Sequence, residues 1–281
     1  MAPGKPDLKP DLPAPESADL ERRFGGLRRL YGSTGYTRVR QARVAVVGVG
    51  GVGSWAVEAL ARSGVAQLVL FDLDHVAESN INRQAQATSL TVGMAKVEAL
   101  RERIHLIHPG CEVVGVEEFV SSDNWPGLLA SPVDALIDAC DQVQAKAALA
   151  AWGMSSGVPV VCVGAAGGKR QAQRVEVEDL ADTSHDPLLA SLRQRLRKSG
   201  TAPRQGRMGV RCVFSRESVA PPAQACEVDL ASEAAGDGTL NCHGYGSSVA
   251  VTATFGLVAA GEVLALLQAA GSCQEPAKHL I

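Results

Sequence analysis

Residues 42–65, ARVAVVGVGGVGSWAVEALARSGV, decide the fold of this chain. An apolar run ends in the turn GVGGVG, and a helical pattern follows without a break. Gly48, Gly50 and Gly53 allow a tight turn, a close approach of backbone N–H groups to phosphate, and close packing of the helix on the strand. Because a helix N-terminus attracts anions, the stretch predicts a nucleotide site. By itself, it does not distinguish a dinucleotide from ATP.

Alternating apolar runs and helical patterns extend outward from this turn. The runs at 43–48, 67–72, 112–116, 133–138 and 158–163 predict strands that are buried on both faces. The helical patterns between them lie at 51–63, 92–107 and 142–155. This repetition predicts an α/β fold with a Rossmann-like, mostly parallel sheet covered by helices on both faces, and a C-terminal extension.

The domain organisation follows from the same pattern and from composition. We expect a disordered lead-in at 1–20, one main domain at 21–270 with a basic insertion at about 186–211, and a tail at 271–281. The net charge of -3 implies no global attraction to nucleic acid. The seven cysteines form no C-x-x-C pair, which argues against a four-cysteine zinc site and a disulfide framework and favours the cytoplasm.

An apolar stretch at 249–267 is long enough to suggest a membrane helix, while the proline-rich N-terminus predicts no signal peptide. Glu262 would lie inside the hydrocarbon at a cost of a few kcal/mol. A buried C-terminal helix is therefore the favoured interpretation, and peripheral or single-pass membrane association through it is left open.

Polar residues after the second and fourth strands favour ATP over a dinucleotide. An α-phosphorus under attack needs cations to spread charge and carboxylates to hold Mg²⁺, whereas a dinucleotide needs neither. Arg83 and Lys96 supply the cations, and Asp141 supplies the carboxylate. A nicotinamide-dependent dehydrogenase or a catalytically silent Rossmann module is the alternative that this set disfavours. The polar residues are Asp72, Asp74, Asn80, Arg83, Gln84, Lys96, Asp138 and Asp141.

These motifs resemble those of the ubiquitin-activating-like superfamily of adenylating enzymes, which join a substrate carboxylate to AMP. The superfamily motifs G-x-G-G-x-G, D-x-D, N-x-x-R-Q, a following lysine and D-x-x-D all have counterparts here. The resemblance implies that the turn containing Gly48, Gly50, Gly51 and Gly53 holds ATP, together with Asp74 and Gln84. It implies that Asp72 binds the ribose, that Asn80, Arg83 and Lys96 bind the phosphates, and that Asp141 binds Mg²⁺.

Within that superfamily the chain is similar to the bacterial tRNA threonylcarbamoyladenosine dehydratases. The similar stretches are RRFGGLRRLYG at 22–32, DPLLASLRQRLR at 186–197, MGVRCVFSRE at 208–217 and GYGSSVAVTATFGLVA at 244–259. The resemblance implies ATP-dependent activation of the threonine carboxylate of N6-threonylcarbamoyladenosine in tRNA, followed by cyclisation. It also implies a monovalent cation (Na⁺ or K⁺), a homodimer with each ATP site near the interface, and a cysteine desulfurase system as functional partner.

Two departures from the superfamily pattern bear on function. Activators of sulfur carriers usually bind zinc through two C-x-x-C pairs, which this chain lacks, so we expect no zinc. Activation of a sulfur-carrier or ubiquitin-like protein is the second functional hypothesis. Many relatives place near Gly26 an arginine that reaches the other subunit's ATP, and here Arg23, Arg28 or Arg29 would take that role.

A local basic cluster at 193–211 carries seven lysines and arginines and no acidic residue. Such a cluster favours salt-dependent contact with tRNA phosphates, and a solvated helix end with a mobile loop is the alternative. The candidate contacts are Arg193, Arg195, Arg197, Lys198, Arg204 and Arg207.

Several other residues have both a chemical and a structural interpretation. Cys242 suggests a nucleophile, but glycine-rich packing is the favoured interpretation. Cys212 alternates with apolar residues and is expected to be a core thiol. His243 is more typical of a surface histidine than of a general base. Asp74 either supports a metal or caps a turn, and Asp138 either contacts ATP or Mg²⁺ or only ends a buried strand.

Overall fold

The computed structural model describes residues 18–220 and 245–269, which form a seven-stranded sheet covered by helices. The strand order is β3-β2-β1-β4-β5-β7-β6, with β6 antiparallel to β7 and the other pairs parallel. The predicted α/β fold with a mostly parallel sheet is confirmed. The strands are β1 (Arg43–Val47), β2 (Gln67–Phe71), β3 (Glu112–Val116), β4 (Ala135–Asp138), β5 (Val160–Val163), β6 (Val175–Asp179) and β7 (Arg211–Ser215).

Seven helices accompany the strands in the described part of the chain. The predicted helix at 92–107 begins only at Lys96, because Gly93 has a φ of 90° and Ala95 is extended. The other predicted crossover helices start within two residues of their expected positions. The helices are α1 (Leu20–Phe24), α2 (Gly26–Gln41), α3 (Gly53–Arg62), α4 (Lys96–Ile107), α5 (Val143–Ser156), α6 (Pro187–Lys198) and α7 (Val249–Ala269).

The hydrophobic core lies on both faces of the sheet. Side chains alternate along a strand, so Val44 and Val46 of β1 pack in the cluster containing α3, α4 and α7. Ala45 and Val47 face the opposite way and pack against Trp125 and α5. Strand β1, at the centre of the sheet, is therefore buried on both faces, which explains its continuous run of apolar residues.

Helix α7 packs against α3 on the first face of the sheet. A Cβ at Gly256 would lie 2.4 Å from the carbonyl oxygen of Val52 and 2.8 Å from the amide nitrogen of Ala56, so this glycine permits the close approach. With a mean hydropathy of 1.9, α7 is long and apolar enough to cross a membrane, but 44% of its most apolar window is buried in the protein. A core helix passes the same test, so the composition of α7 is weak evidence for a membrane.

The three N-terminal arginines differ in their surroundings. Arg23 donates a hydrogen bond to the carbonyl oxygen of Ile107 at 2.7 Å. Arg28 forms an ion pair with Glu21 at 2.9 Å and lies 4.6 Å from the Tyr36 ring centroid. Arg29 is exposed on α2. Two of the three candidates for a contact across a dimer are thus engaged within their own chain.

Candidate active site

The carboxyl ends of β1, β2, β4 and β5 lie along one edge of the sheet and enclose a cavity of about 490 Å³. Open α/β sheets bind ligands at this edge. The structure brings together here almost all of the residues that the sequence nominated. Those lining the cavity are Gly48, Gly50, Gly51, Asp72, Asp74, Asn80, Arg83, Gln84, Lys96 and Asp141.

The glycine turn forms the floor of the cavity. Gly48 has a φ of 79°, which an L side chain rarely adopts. A Cβ at Gly53 would lie only 1.9 Å from the carbonyl oxygen of Gly48, so this glycine lies beneath the floor and permits the helix to start there. A Cβ at Gly50 would project into open space, with its first neighbour 3.9 Å away. The turn therefore leaves room for phosphate at the N-terminus of α3.

Asp72, Asp74 and Lys96 form a charged cluster at the end of β2. Lys96 is only 7% exposed, and its Nζ lies 2.6 Å from Asp74 and 3.7 Å from Asp72. Asp72 accepts hydrogen bonds from the backbone N–H groups of Val49, at 2.8 Å, and Asp74. Burial raises the pKa of Asp72 despite the opposing charge of Lys96. Lys96 is therefore a cavity residue and not a solvated lysine.

The segment from Asn80 to Gln84 forms the wall above the glycine turn. The Asn80 side chain accepts a hydrogen bond from the N–H of Ala77 at 3.1 Å, which holds a short 3₁₀ turn in place. The Arg83 carbonyl accepts a hydrogen bond from Trp55 Nε1 at 2.9 Å. The Arg83 guanidinium donates a hydrogen bond to the carbonyl oxygen of Ser79 at 2.7 Å, and burial lowers the pKa of Arg83. The backbone of Arg83 is thus anchored to α3 while its side chain lines the cavity.

Asp138 does not line the cavity and instead forms a fully buried ion pair with Lys146 of α5. Both side chains are 0% exposed, and Nζ lies 3.0 Å from Oδ1. Nζ also donates to the Asp138 carbonyl oxygen at 3.2 Å. Burial alone would lower the pKa of Lys146, but Asp138 and neighbouring thiols raise it above its usual value. The structure therefore favours the purely structural interpretation of Asp138.

Asp141 lies three residues beyond Asp138, in the loop between β4 and α5, and does line the cavity. No three His, Cys, Asp or Glu side chains converge into a metal site within residues 18–220 and 245–269. Mg²⁺ is commonly held by one or two carboxylates together with substrate phosphates. A single cavity-lining carboxylate, that of Asp141, fits this kind of arrangement, and its role as a magnesium ligand stays a prediction.

Sequence reasoning missed a second group of cavity residues. Residues 164–167 follow β5, and their glycine-rich sequence after a buried strand was the available signal. The others come from five segments, of which only 139–145 adjoins a predicted motif, the one that contains Asp141. They are Glu118, Phe119, Val120, Ala139, Cys140, Gln142, Ala145, Pro187, Leu188, Val219, Tyr245, Ser247 and Thr252.

The basic cluster lies at the end of α6 and in the loop before β7. Arg195, Lys198, Arg204 and Arg207 are exposed, whereas Arg197 is half-buried. Arg193 Nη1 donates hydrogen bonds to the carbonyl oxygens of Leu180, at 3.1 Å, and Thr183, at 2.9 Å.

Of Cys212, Cys242 and His243, only Cys212 belongs to the part of the chain that the structure describes. Cys212 is fully buried in β7, and burial raises its pKa, as expected for a core thiol. Cys242 and His243 lie outside the described residues.

Comparison with known proteins connects this geometry to a family. The ThiF family model matches residues 23–280. The chain is 41% identical over 257 residues to the tRNA threonylcarbamoyladenosine dehydratase of Escherichia coli, covering 90% of this chain and 96% of the relative. It is 40% identical to the Haemophilus influenzae protein of the same name, covering 88% and 93%.

A solved structure is similar over the same extent. The crystal structure of the E. coli tRNA N6-threonylcarbamoyladenosine dehydratase in complex with ATP superimposes with a TM-score of 0.81 at 39% identity. The similarity covers 92% of this chain and 99% of that one. The chain therefore belongs to the ThiF family, with tRNA threonylcarbamoyladenosine dehydratases among its relatives.

Proposed function

We propose that the chain is an ATP-dependent dehydratase that adenylates the threonine carboxylate of N6-threonylcarbamoyladenosine in tRNA and closes it to a cyclic form. The observation that carries the proposal is the cavity itself. It places the glycine turn beside Asp72, Arg83, Lys96 and Asp141, in a chain with near full-length similarity to dehydratases of this name. One of those relatives has been solved with ATP bound.

In the first step a carboxylate oxygen attacks the α-phosphorus of ATP, the bond to the β-phosphate oxygen breaks, and pyrophosphate leaves. Backbone N–H groups of the turn and the N-terminus of α3 bind phosphate. Arg83 and Lys96 stabilise the charge that develops on the phosphate oxygens. Asp72 accepts a hydrogen bond from the N–H of Val49, which holds the turn against the end of β2. Its carboxylate would also bind the ribose, as such an acidic residue does after the second strand of dinucleotide-binding folds.

In the second step a nitrogen of the same modified base attacks the acyl carbon. AMP departs with one of the original carboxylate oxygens, and the nitrogen loses its proton, so the nucleoside loses the elements of water. Both reacting groups belong to one nucleoside, and this proximity supplies a large effective concentration. No covalent bond to the protein is needed.

The proposal includes a magnesium ion that binds together with ATP. When bound, it would neutralise charge on the phosphates. Asp141 would hold it, since this carboxylate lies in the loop between β4 and α5 and lines the cavity. The monovalent cation that the resemblance implies stays a prediction.

Contact with tRNA is assigned to the exposed part of the basic cluster. Phosphate contacts of lysine and arginine give affinity that falls as salt rises. Charge reversal of Arg195 and Lys198 should weaken tRNA binding in a filter assay and flatten its salt dependence. Charge reversal of Arg22 and Arg174, two exposed arginines outside the basic cluster, is the matched control because it changes the net charge by the same amount. Unchanged affinity and salt slope in the Arg195 and Lys198 variant would contradict the assignment.

A homodimer with a shared ATP site is a further part of the proposal. Arg29 is the N-terminal arginine best placed to reach a partner subunit, because Arg23 and Arg28 bind within their own chain. Its replacement by alanine should slow ATP turnover while the dimer persists in sedimentation. Wild-type turnover would contradict this role.

A cytoplasmic location and a cysteine desulfurase system as partner complete the proposal.

Mass spectrometry of nucleosides tests the proposed function. Purified tRNA that contains N6-threonylcarbamoyladenosine would be incubated with the protein, ATP and Mg²⁺. The expected product is the same nucleoside lighter by one water, formed only when ATP is present. An unchanged nucleoside from protein that binds ATP would contradict the proposal. Pyrophosphate exchange with sulfur-carrier proteins would then test the second hypothesis.

A further inference from the structure

The cavity has two ends that the sheet order separates. Asp72 and the charged cluster lie at the end of β2, and residues 164–167 lie at the end of β5. The intervening strands are β1 and β4, so the two ends are about 14 Å apart at about 4.8 Å per strand. The glycine turn lies between them, after β1. A nucleotide with its ribose at Asp72 and its phosphates on the turn therefore leaves the β5 end open.

The β5 end, which we call the acceptor lobe, differs in chemistry from the β2 end. No charged side chain lines it among the residues that the structure describes. Small backbone-exposing residues and one aromatic ring form its walls. Such a surface suits a flat, neutral heterocycle better than a phosphate or a carboxylate. The acceptor lobe consists of residues 164–167, Pro187, Leu188, Val219 and Tyr245.

Tyr245 is held in the acceptor lobe by its neighbours. The N–H of Gly168 donates to the carbonyl oxygen of Gly246 at 3.0 Å, and the N–H of Ala220 donates to the carbonyl oxygen of Gly168 at 2.8 Å. Gly168 has a φ of 71°, and a Cβ there would lie 2.7 Å from Val219 and 3.4 Å from the Tyr245 ring. The glycine thus lets both side chains close on the loop. Tyr245 as a whole residue is 36% exposed.

Helix α6 connects the acceptor lobe to the basic cluster. Asp186 caps α6 through the N–H of Leu189 at 3.0 Å and also accepts from the N–H of Ala165 at 2.8 Å. Leu188 lines the lobe, and Arg195 lies about 10 Å further along the helix at 1.5 Å per residue. A base in the lobe would therefore leave its flanking phosphates near exposed cations.

We infer that Tyr245 is the stacking platform for the modified adenine base, which leaves the anticodon stack to enter the acceptor lobe. This inference rests on the proposed function and assigns it a specificity-determining residue. Proteins that act on bases extrude them and stack them on aromatic side chains. The threonylcarbamoyl arm of the base then extends from the lobe toward the phosphates on the glycine turn. Base recognition and ATP binding thus use opposite ends of one cavity.

The test compares two aromatic residues at the two ends of the cavity. Stacking of a base on an aromatic side chain contributes enough that its loss weakens binding about tenfold or more. We expect Tyr245→Ala to raise the KM for modified tRNA by that factor and to leave the KM for ATP unchanged. Tyr245→Phe keeps the ring and should keep the wild-type KM. Phe119→Ala, which removes an aromatic ring from the far end of the cavity beyond β3, is the matched control and should leave the KM for tRNA unchanged.

The outcomes separate this inference from the proposed function. Dehydration by the wild type with an unchanged tRNA KM for Tyr245→Ala would overturn the inference alone. A Tyr245→Ala variant that raises both KM values equally, or only the KM for ATP, would also overturn it. Absence of dehydration by the wild type would overturn the proposed function, and the inference with it.

Discussion

Two acid–lysine clusters lie at carboxyl ends of parallel strands, and they have opposite relations to the cavity. At the end of β2, Lys96 pairs with Asp72 and with the half-exposed Asp74, and all three line the cavity. At the end of β4, Lys146 pairs with Asp138, and neither side chain has any exposure. The first cluster can exchange partners with a ligand, whereas the second cannot.

The comparison shows that burial decides whether an acid–lysine pair is available to a ligand or only stabilises the fold. Removing two charges from water is costly, so the Asp138–Lys146 pair persists only because each charge compensates the other. Its carboxylate also accepts from the N–H and thiol of Cys140, at 3.3 and 2.9 Å. These bonds shape the loop that presents Asp141 to the cavity. The buried Asp138–Lys146 pair therefore stabilises the loop that carries Asp141 without lining the cavity itself.

The largest expected effect comes from breaking the buried cluster. Lys146→Met leaves the Asp138 carboxylate buried without its partner, which should lower the free energy of unfolding by about 3–5 kcal/mol. Urea denaturation measures this loss. The double variant with Asp138→Asn removes the uncompensated charge and should recover most of the stability. Equal stability of Lys146→Met and the wild type would show that the pair contributes nothing to the fold.

Breaking the open cluster should affect catalysis more than folding. Lys96→Ala or Arg83→Ala removes one donor to the phosphate oxygens and should slow adenylation about 10²-fold or more. Pyrophosphate release in the presence of modified tRNA measures the rate. Arg101→Ala, on the same helix as Lys96 but in a half-exposed pair with Glu98, is the control. Near-normal pyrophosphate release from either Lys96→Ala or Arg83→Ala would refute the role assigned to that residue.

A finer test changes Asp141, in the loop between β4 and α5, and leaves the buried Asp138 in place. Asp141→Asn should lower activity several-fold and weaken its dependence on Mg²⁺, because it removes a metal-binding carboxylate without disturbing the buried pair. A magnesium titration of the steady-state rate measures the change. If the titration curve matched that of the wild type, Asp141 would not be a metal ligand.

The smallest effect is expected at the exposed edge of the open cluster. The Asp74 side chain is 52% exposed, so its pair with Lys96 is screened by solvent and worth about 1 kcal/mol or less. Asp74→Asn should therefore change the adenylation rate only a few-fold. A loss as large as that of Lys96→Ala would mean that Asp74 takes part in the chemistry.

The sequence predicted the features that depend on neighbours along the chain. Apolar runs marked the strands, and the glycine turn with the spacing from Asp72 to Lys96 located the β2 end of the cavity. It left the role of Asp138 open between ligand contact and the end of a buried strand, because only three-dimensional packing places Lys146 against this carboxylate. Tyr245 was missed for the same reason, since its loop partner Gly168 is distant in sequence.

The basic cluster shows a similar limit. Six residues of one charged segment looked equivalent as candidates for tRNA contact. Arg193 instead donates to two backbone carbonyls of the loop before α6, a contact that charge patterning does not reveal. Its role in tRNA binding stays a prediction, and the exposed Arg195 and Lys198 are the sharper probes.

The central claim is that the threonine carboxylate is activated by transfer of AMP. Modified tRNA carrying ¹⁸O in both oxygens of that carboxylate would be converted with ATP, and the products weighed by mass spectrometry. AMP should gain one ¹⁸O atom, because the carboxylate oxygen that attacks the α-phosphorus leaves with it. Label in inorganic phosphate with unlabelled nucleotide would contradict the account, since it would place the attack on the γ-phosphorus.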